Sequence, residues 1–188
     1  MDQNFMELLA GANSYDILKG NYVYLDNDFL NLLYKNADVF TQSLEYLKSS
    51  ERIVDPFTKF EFLRGIYVPG EKKAMENFID FFTSPINHND LFLNIQKNAL
   101  ALSMIYCHNK MAKGVSTVDL LLAGRIMYHA SEPLLITGNK KDFPSCIFDN
   151  LTVFNIEQIS DGSIQSFSVV KFNREKFKTC IENLDKVA

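Results

Sequence analysis

Short continuous apolar runs alternate along the chain with segments in which apolar residues recur every three or four positions. The runs at residues 22–25, 134–137 and 151–154 are typical of strands that are covered on both faces. Residues 52–54 form a further short strand candidate, which ends before Pro56 because proline cannot continue a strand ladder. These runs predict a sheet that is largely buried.

Helical spacing fills most of the chain between the predicted strands. Apolar residues follow the pattern of one buried helix face over 29–34, 58–64, 75–82, 95–106 and 116–129. The last segment, 158–188, predicts one strand followed by one helix. Strands that alternate with helices favour an α/β fold with parallel crossover connections.

Composition narrows the class of protein. The chain has 188 residues, of which 47% are hydrophobic, and a net charge of −4. The length and the hydrophobic fraction fit one globular domain over 1–188. The net negative charge means that the chain as a whole has no basic field that would attract nucleic acid. Cys107, Cys146 and Cys180 are widely spaced, which indicates a reducing compartment. The start of the chain carries Asp2 and Glu7 and does not resemble a signal peptide, so we expect a cytoplasmic protein.

Several acids lie where predicted elements begin or end. Asp26 comes just after the first strand, at the position where open α/β sheets bind ligands. Residues 58–61 (TKFE) and 116–119 (STVD) each match a capping box, and Asp28 suits the cap of the next helix. Asn139 suits a turn. Taken singly, these residues have ordinary structural interpretations.

Taken together and in order, four motifs resemble the PIN-domain family, and within it the VapC-type toxin ribonucleases of toxin–antitoxin pairs. The motifs are LDND (25–28), TKFEFLRG (58–65), DLLLA (119–123) and TGNKKDF (137–143). The resemblance implies a three-layer α/β/α fold with a central, mainly parallel sheet. This PIN-like core would cover 21–157, with 158–188 as a C-terminal strand-helix extension.

The resemblance also implies a metal-dependent ribonuclease. Converging carboxylates repel one another, and Mg²⁺ or Mn²⁺ relieves that repulsion through oxygen ligands. The implied acidic ligands are Asp26, Glu61 and Asp119, and Asn139 takes the fourth catalytic position. The implied supporting groups are Asp28, Thr137 and Asp142.

The remaining implied contacts are with macromolecules. Lys140 and Lys141 follow Asn139 and would bind the RNA backbone, although surface lysines also simply keep a loop soluble. The family further implies a homodimer and an antitoxin partner. This chain departs from the usual motifs with Asp28 in place of an Asn, an uncharged Asn139, and Asp55 where a small hydroxyl residue is common.

Two other functions fit part of the pattern. The sequence D-N-D at 26–28, with Thr137 after a later strand, resembles haloacid-dehalogenase-type phosphatases. The pair of acids that those enzymes need after a further strand is missing. A PIN-like domain that has lost turnover and serves as a binding or scaffolding module is the other alternative. Convergence of the three acidic ligands on a bound metal separates the nuclease from that module.

Overall fold

The computed structural model of the chain describes residues 6–9, 16–85, 89–111, 114–130, 132–158 and 161–185. Its strands are β1 (Met6–Leu9), β2 (Tyr22–Leu25), β3 (Glu51–Ile53), β4 (Leu134–Thr137), β5 (Phe148–Gln158) and β6 (Ser163–Phe172). They form a single sheet in the order β1-β5-β6-β4-β2-β3. The predicted strands are confirmed, whereas β1 was not predicted.

Most of the helices occupy the connections between strands, and the last helix follows the last strand. They are α1 (Asn27–Lys35), α2 (Ala37–Tyr46), α3 (Pro56–Leu63), α4 (Pro69–Ile79), α5 (Asn89–His108), α6 (Thr117–Tyr128) and α7 (Arg174–Asp185). A short 3₁₀ turn covers Lys140–Asp142. The predicted helices are present, and α2 is an addition to them. No described helix is long and apolar enough to cross a membrane.

The sheet is mixed, which corrects the expectation of a mainly parallel one. Strand β2 runs parallel to β3 and β4, but the pairings β4–β6, β6–β5 and β5–β1 are antiparallel. Strand β6 begins five positions after β5 ends, at Ser163 and Gln158, and so short a separation can only produce an antiparallel pair. The predicted α/β class is confirmed, with parallel pairing confined to the β4-β2-β3 end.

The C-terminal segment supplies an internal strand. Strand β6 lies between β4 and β5, with Val169 opposite Ile136 on one side and Thr152 on the other. The strand and helix predicted within 158–188 are both observed, but β6 is built into the sheet rather than appended to it.

Alternate residues of the central strands pack on opposite faces of the sheet. Val23 and Leu25 join a hydrophobic cluster with α1 and α4, whereas Tyr24 joins a second cluster with α5 and α6. The whole of β4 is buried. Burial on both faces explains why these strands read as continuous apolar runs rather than as alternating ones.

Parallel pairing brings two strand ends to the same edge of the sheet. Leu25 lies opposite Ile136 in the β2–β4 ladder, and the Asp26 backbone N–H donates to the Ile136 carbonyl at 3.0 Å. The residues that follow these strands, Asp26 and Thr137, are therefore neighbours. This edge carries the candidate site.

Candidate active site

A cleft of about 250 Å³ opens at the carboxyl ends of β2 and β4. Its lining includes the carboxylates of Asp26, Asp28, Glu61, Asp119 and Asp142. These acids come from α3, α6 and the segments that follow β2 and β4. The structure therefore gathers all three predicted acidic ligands, and two of the predicted supporting groups, in one place.

Asp26 forms the floor of the cleft and is only 3% exposed. It caps α1, because its Oδ1 accepts a hydrogen bond from the Asn27 backbone N–H at 2.7 Å. Its Oδ2 accepts from the Thr137 hydroxyl at 2.6 Å. Burial raises the pKa of Asp26 to about 7, the charge of Asp28 adds to the rise, and the Thr137 hydrogen bond opposes it. Asp26 can therefore hold a proton near neutral pH.

Asp28 ties α1 to the loop after β4. The expectation that Asp28 caps the helix is wrong, because the helix begins one residue earlier and Asp26 is its cap. Asp28 Oδ2 instead accepts from the Gly138 backbone N–H at 2.9 Å. A Cβ atom on Gly138 would lie 2.5 Å from that same oxygen. A larger residue at position 138 would therefore have to displace the Asp28 carboxylate.

Glu61 lies in the last turn of α3 and points into the cleft with 13% of its side chain exposed. The interpretation of residues 58–61 as a capping box is wrong, because α3 starts at Pro56 and Asp55 is its cap. Glu61 contacts the Arg64 guanidinium at 3.3 Å. Burial raises the pKa of Glu61, the Asp119 charge raises it further, and Arg64 opposes both.

Asp119 is both a helix-start residue and a member of the acidic cluster. The Ser116 hydroxyl accepts from the Asp119 backbone N–H at 3.1 Å and donates to Asp119 Oδ2 at 2.6 Å. The predicted cap by Ser116 is therefore present. The same carboxylate influences Glu61 and Asp142 across the cleft, so capping does not remove it from the site.

The loop after β4 completes the cleft. The Asn139 side-chain amide donates to Asp142 Oδ2, and its backbone N–H donates to the Thr137 hydroxyl oxygen at 3.0 Å. Asp142 is 1% exposed. Burial raises its pKa to about 6, Asp119 adds to the rise by charge and by hydrogen bonding, and Lys141 opposes it. Asp142 is therefore a second carboxyl group with a raised pKa, and it takes up a proton in mildly acidic solution.

Lys140 and Lys141 are exposed beside the acidic cleft. Both line a second cavity of about 510 Å³, and Asp142 borders both cavities. The predicted basic residues are thus adjacent to the candidate site, while their contact with RNA stays a prediction.

The donor atoms of the cleft suit a hard divalent cation, since they are carboxylate and amide oxygens. The raised pKa values of Asp26 and Asp142 reflect burial and repulsion that such a cation would relieve. Among the described residues, however, no three His, Cys, Asp or Glu side chains already stand in a metal-binding arrangement. The carboxylates instead bond to groups of the protein such as Ser116, Thr137 and Gly138.

One buried ion pair next to the site was not predicted. Asp55 and Arg125 are in direct contact, and neither side chain is exposed. The available signal was Arg125 itself, a charged residue inside the otherwise apolar helix sequence LLLAGRIMY. Charged residues are rarely fully buried unless they are paired.

No family model matches the chain, and no curated protein and no solved structure matches it either. The likeness to PIN domains therefore rests on the four sequence motifs.

Proposed function

We propose that this chain is a metal-dependent ribonuclease of the PIN type, which hydrolyses RNA phosphodiester bonds with Mg²⁺ or Mn²⁺. The observation that carries the proposal is the cleft that collects Asp26, Asp28, Glu61, Asp119 and Asp142. The proposal includes a three-layer α/β/α PIN-like architecture, to which the helices on both faces of the sheet lend support.

A cluster of five carboxylates is stabilised when a cation binds among them. Asp26 and Asp142 are almost fully buried, and burying charged acids side by side is costly. When bound, Mg²⁺ or Mn²⁺ neutralises this charge, lowers the pKa of a coordinated water and stabilises charge on a phosphate group. RNA carries one phosphate at every backbone linkage. It could therefore contact both a cation held by the acids and the adjacent lysines.

Different residues have different roles in the proposed reaction. Asp26, Glu61 and Asp119 hold the cation, and Thr137 keeps the Asp26 carboxylate oriented through its 2.6 Å hydrogen bond. Asn139 donates its side-chain amide to Asp142 and so keeps this acid in the lining of the cleft.

Lys140 and Lys141 supply the substrate contacts in this proposal. Their ammonium groups bind backbone phosphates and position the RNA, without reading its sequence. Asp142 borders both their cavity and the acidic cleft, so a strand held by the lysines extends toward the three acids.

The biological setting proposed here comes from the resemblance in the four motifs. In that setting the chain is the toxin of a toxin–antitoxin pair, acts in the cytoplasm and forms a homodimer. An antitoxin protein would bind it and block cleavage.

The test is cleavage of a mixed-sequence single-stranded RNA by the purified protein with Mn²⁺, Mg²⁺ or EDTA. We expect fragments only with a divalent cation, and none from Asp26→Asn. Asp90→Asn changes an exposed acid in the first turn of α5 and should cleave as the wild type does. Absence of cleavage by the wild type with either cation, or full cleavage in EDTA, would overturn the proposal.

A parallel assay with p-nitrophenyl phosphate separates the nuclease from a phosphatase. Metal-dependent release of nitrophenol without RNA cleavage would favour the dehalogenase-type reaction of the D-N-D motif. Metal binding without either reaction would favour the binding module.

A further inference from the structure

The ion pair between Asp55 and Arg125 lies outside the acidic cleft, yet it joins the two helices that carry Glu61 and Asp119. Asp55 Oδ2 contacts Arg125 Nε, and both side chains are completely buried. Asp55 Oδ1 accepts from the Phe57 backbone N–H at 2.8 Å and so caps α3. One carboxylate therefore fixes the start of α3 and binds α6 at the same time.

On each of the two helices, the ion-pair residue and the cleft acid are separated by the same number of positions. Glu61 lies six residues after Asp55, and Asp119 lies six residues before Arg125. Six residues correspond to roughly 9 Å along a helix axis. The Asp119 charge acts on Glu61 at the other end of the same helix pair. Helices α3 and α6 therefore run past each other in opposite directions, with the ion pair at one end and the two acids at the other.

Helix α6 is independently fixed against α5. A Cβ atom on Gly124 would lie 2.5 Å from the Ile95 carbonyl oxygen, so the two helix backbones are in close contact. The Asn98 side chain donates to the Gly124 carbonyl at 3.0 Å. The ion pair therefore links the start of α3 to a helix that is itself held against α5.

A buried ion pair usually adds little to the net stability of a protein. Removing two charges from water is costly, and apolar residues of similar volume often stabilise a protein equally well. A guanidinium differs from an apolar group because its hydrogen-bonding direction is fixed. Arg125 also lies over the Phe57 ring at 6.0 Å from its centroid, which restricts its orientation further.

We propose that Asp55 and Arg125 are positioning residues that set the register of α3 against α6, so that Glu61 and Asp119 bind the same divalent cation. This inference rests on the proposed function. It assigns a role to Asp55, an acid at a position where a small hydroxyl residue is common in the family that the motifs resemble.

The test uses Mn²⁺ alone as the probe, followed by RNA kinetics. The double variant Asp55→Asn/Arg125→Met removes both charges and leaves no lone buried ion, and Asn still caps α3. We expect its Mn²⁺ dissociation constant, measured by titration calorimetry, to rise at least tenfold. We expect kcat to fall at least tenfold, while KM for RNA changes less than twofold because the lysines are untouched.

Two further variants make the result specific. Arg125→Lys keeps the charge without the planar fork, and its Mn²⁺ affinity should lie between those of the wild type and the double variant. Glu45→Gln/Lys48→Met removes an exposed ion pair of 3.1 Å near the end of α2 and should bind Mn²⁺ as the wild type does. A purely stabilising pair would change the melting temperature of the metal-free protein but not the Mn²⁺ affinity of the folded protein.

Wild-type Mn²⁺ affinity and kcat in a folded double variant would overturn this inference and leave the proposed function intact. If the double variant does not fold, wild-type Mn²⁺ affinity and kcat in Arg125→Lys overturn it equally. Failure of the wild type itself to bind Mn²⁺ would overturn the proposed function, and this inference with it.

Discussion

Thr137 and Asp26 are separated by 111 positions in the chain, yet the Thr137 hydroxyl donates to Asp26 Oδ2 at 2.6 Å. The bond forms because β2 and β4 run parallel and end at the same edge of the sheet. It lowers the pKa of Asp26, whereas burial and Asp28 raise it, with a net result of about 7. The protonation of this carboxyl group therefore has measurable consequences.

The first prediction is that the metal-free protein loses stability as the pH rises from about 4 to about 7. The pKa of Asp26 is about 7 and that of Asp142 about 6, against an ordinary value of 3.8. The folded state therefore binds these protons more tightly than the unfolded chain does. Their stabilising contribution is complete below pH 3.8 and is lost as the pH rises through the folded-state values.

Asp26→Asn isolates the larger of these two contributions. Its melting temperature in EDTA should fall less with pH than that of the wild type, and it should be the more stable protein at pH 8. Each unit of pKa difference corresponds to about 1.4 kcal/mol. Equal pH dependence of the two proteins between pH 4.5 and 8 would show that Asp26 titrates normally.

The second prediction concerns the contact between Asp28 and Gly138. Gly138→Ala places a Cβ atom 2.5 Å from Asp28 Oδ2 and must displace that carboxylate or the loop. We expect a loss of about 0.5–1.5 kcal/mol in the free energy of unfolding, because moving the carboxylate breaks the hydrogen bond that it accepts from the Gly138 N–H. Urea unfolding would measure it.

Gly70→Ala is the matched control for that change. Gly70 lies in the first turn of α4, and a Cβ atom there would meet nothing within 4 Å. Alanine favours a helix by up to about 1 kcal/mol over glycine, so this variant should be as stable as the wild type or more so. Equal effects at the two positions would contradict the close contact at Gly138.

The third prediction separates capping from metal binding at Asp119. Asp119→Asn keeps the backbone N–H that donates to Ser116, so the metal-free variant should be about as stable as the wild type. Saturating Mn²⁺ at 100 times its dissociation constant should stabilise the wild type by about 2.7 kcal/mol. The variant should gain much less, because it lacks one ligand charge.

Thermal melts with and without Mn²⁺ measure both quantities for Asp119→Asn. Asp90→Asn, which changes an exposed acid in the first turn of α5, is the control and should respond to Mn²⁺ fully. If Asp119→Asn gains as much stability as the control does, Asp119 is a helix cap only.

The fourth prediction is that Lys140 and Lys141 bind RNA through charge alone. Lys140→Ala/Lys141→Ala in an Asp26→Asn background should weaken RNA binding for all sequences alike. Each lost phosphate contact should reduce the slope of log K against log salt by about 0.7 for single-stranded RNA. Fluorescence anisotropy over a salt series measures the slope.

Lys48→Ala/Lys72→Ala removes two exposed lysines that pair with glutamates elsewhere on the surface. It has the same net charge as the Lys140/Lys141 variant, so it controls for a general electrostatic effect. The same loss of slope in both variants would remove these two loop lysines from the proposed RNA contact.

The sequence alone determined the strands at 22–25 and 134–137 to the residue. A short apolar run bounded by turn residues and acids is local information, since burial on both faces excludes polar side chains from the run. The start of α3 is also encoded locally, although the capping-box pattern at 58–61 points to a later residue. Pro56 favours the first helical position, which makes Asp55 the cap rather than Thr58.

Only the tertiary structure decided which strands are neighbours and what the acids contact. Strand β6 enters the sheet beside β4, and the partner of Asp28 is Gly138, which lies 110 positions away. Local spacing carries no information about either pairing. A carboxyl pKa depends on burial and on nearby charges, so the sequence could name Asp26 and Asp142 as candidates but not their tendency to take up a proton at a higher pH than an ordinary aspartate does. That tendency arises where separate segments of the chain exclude water from the same cleft.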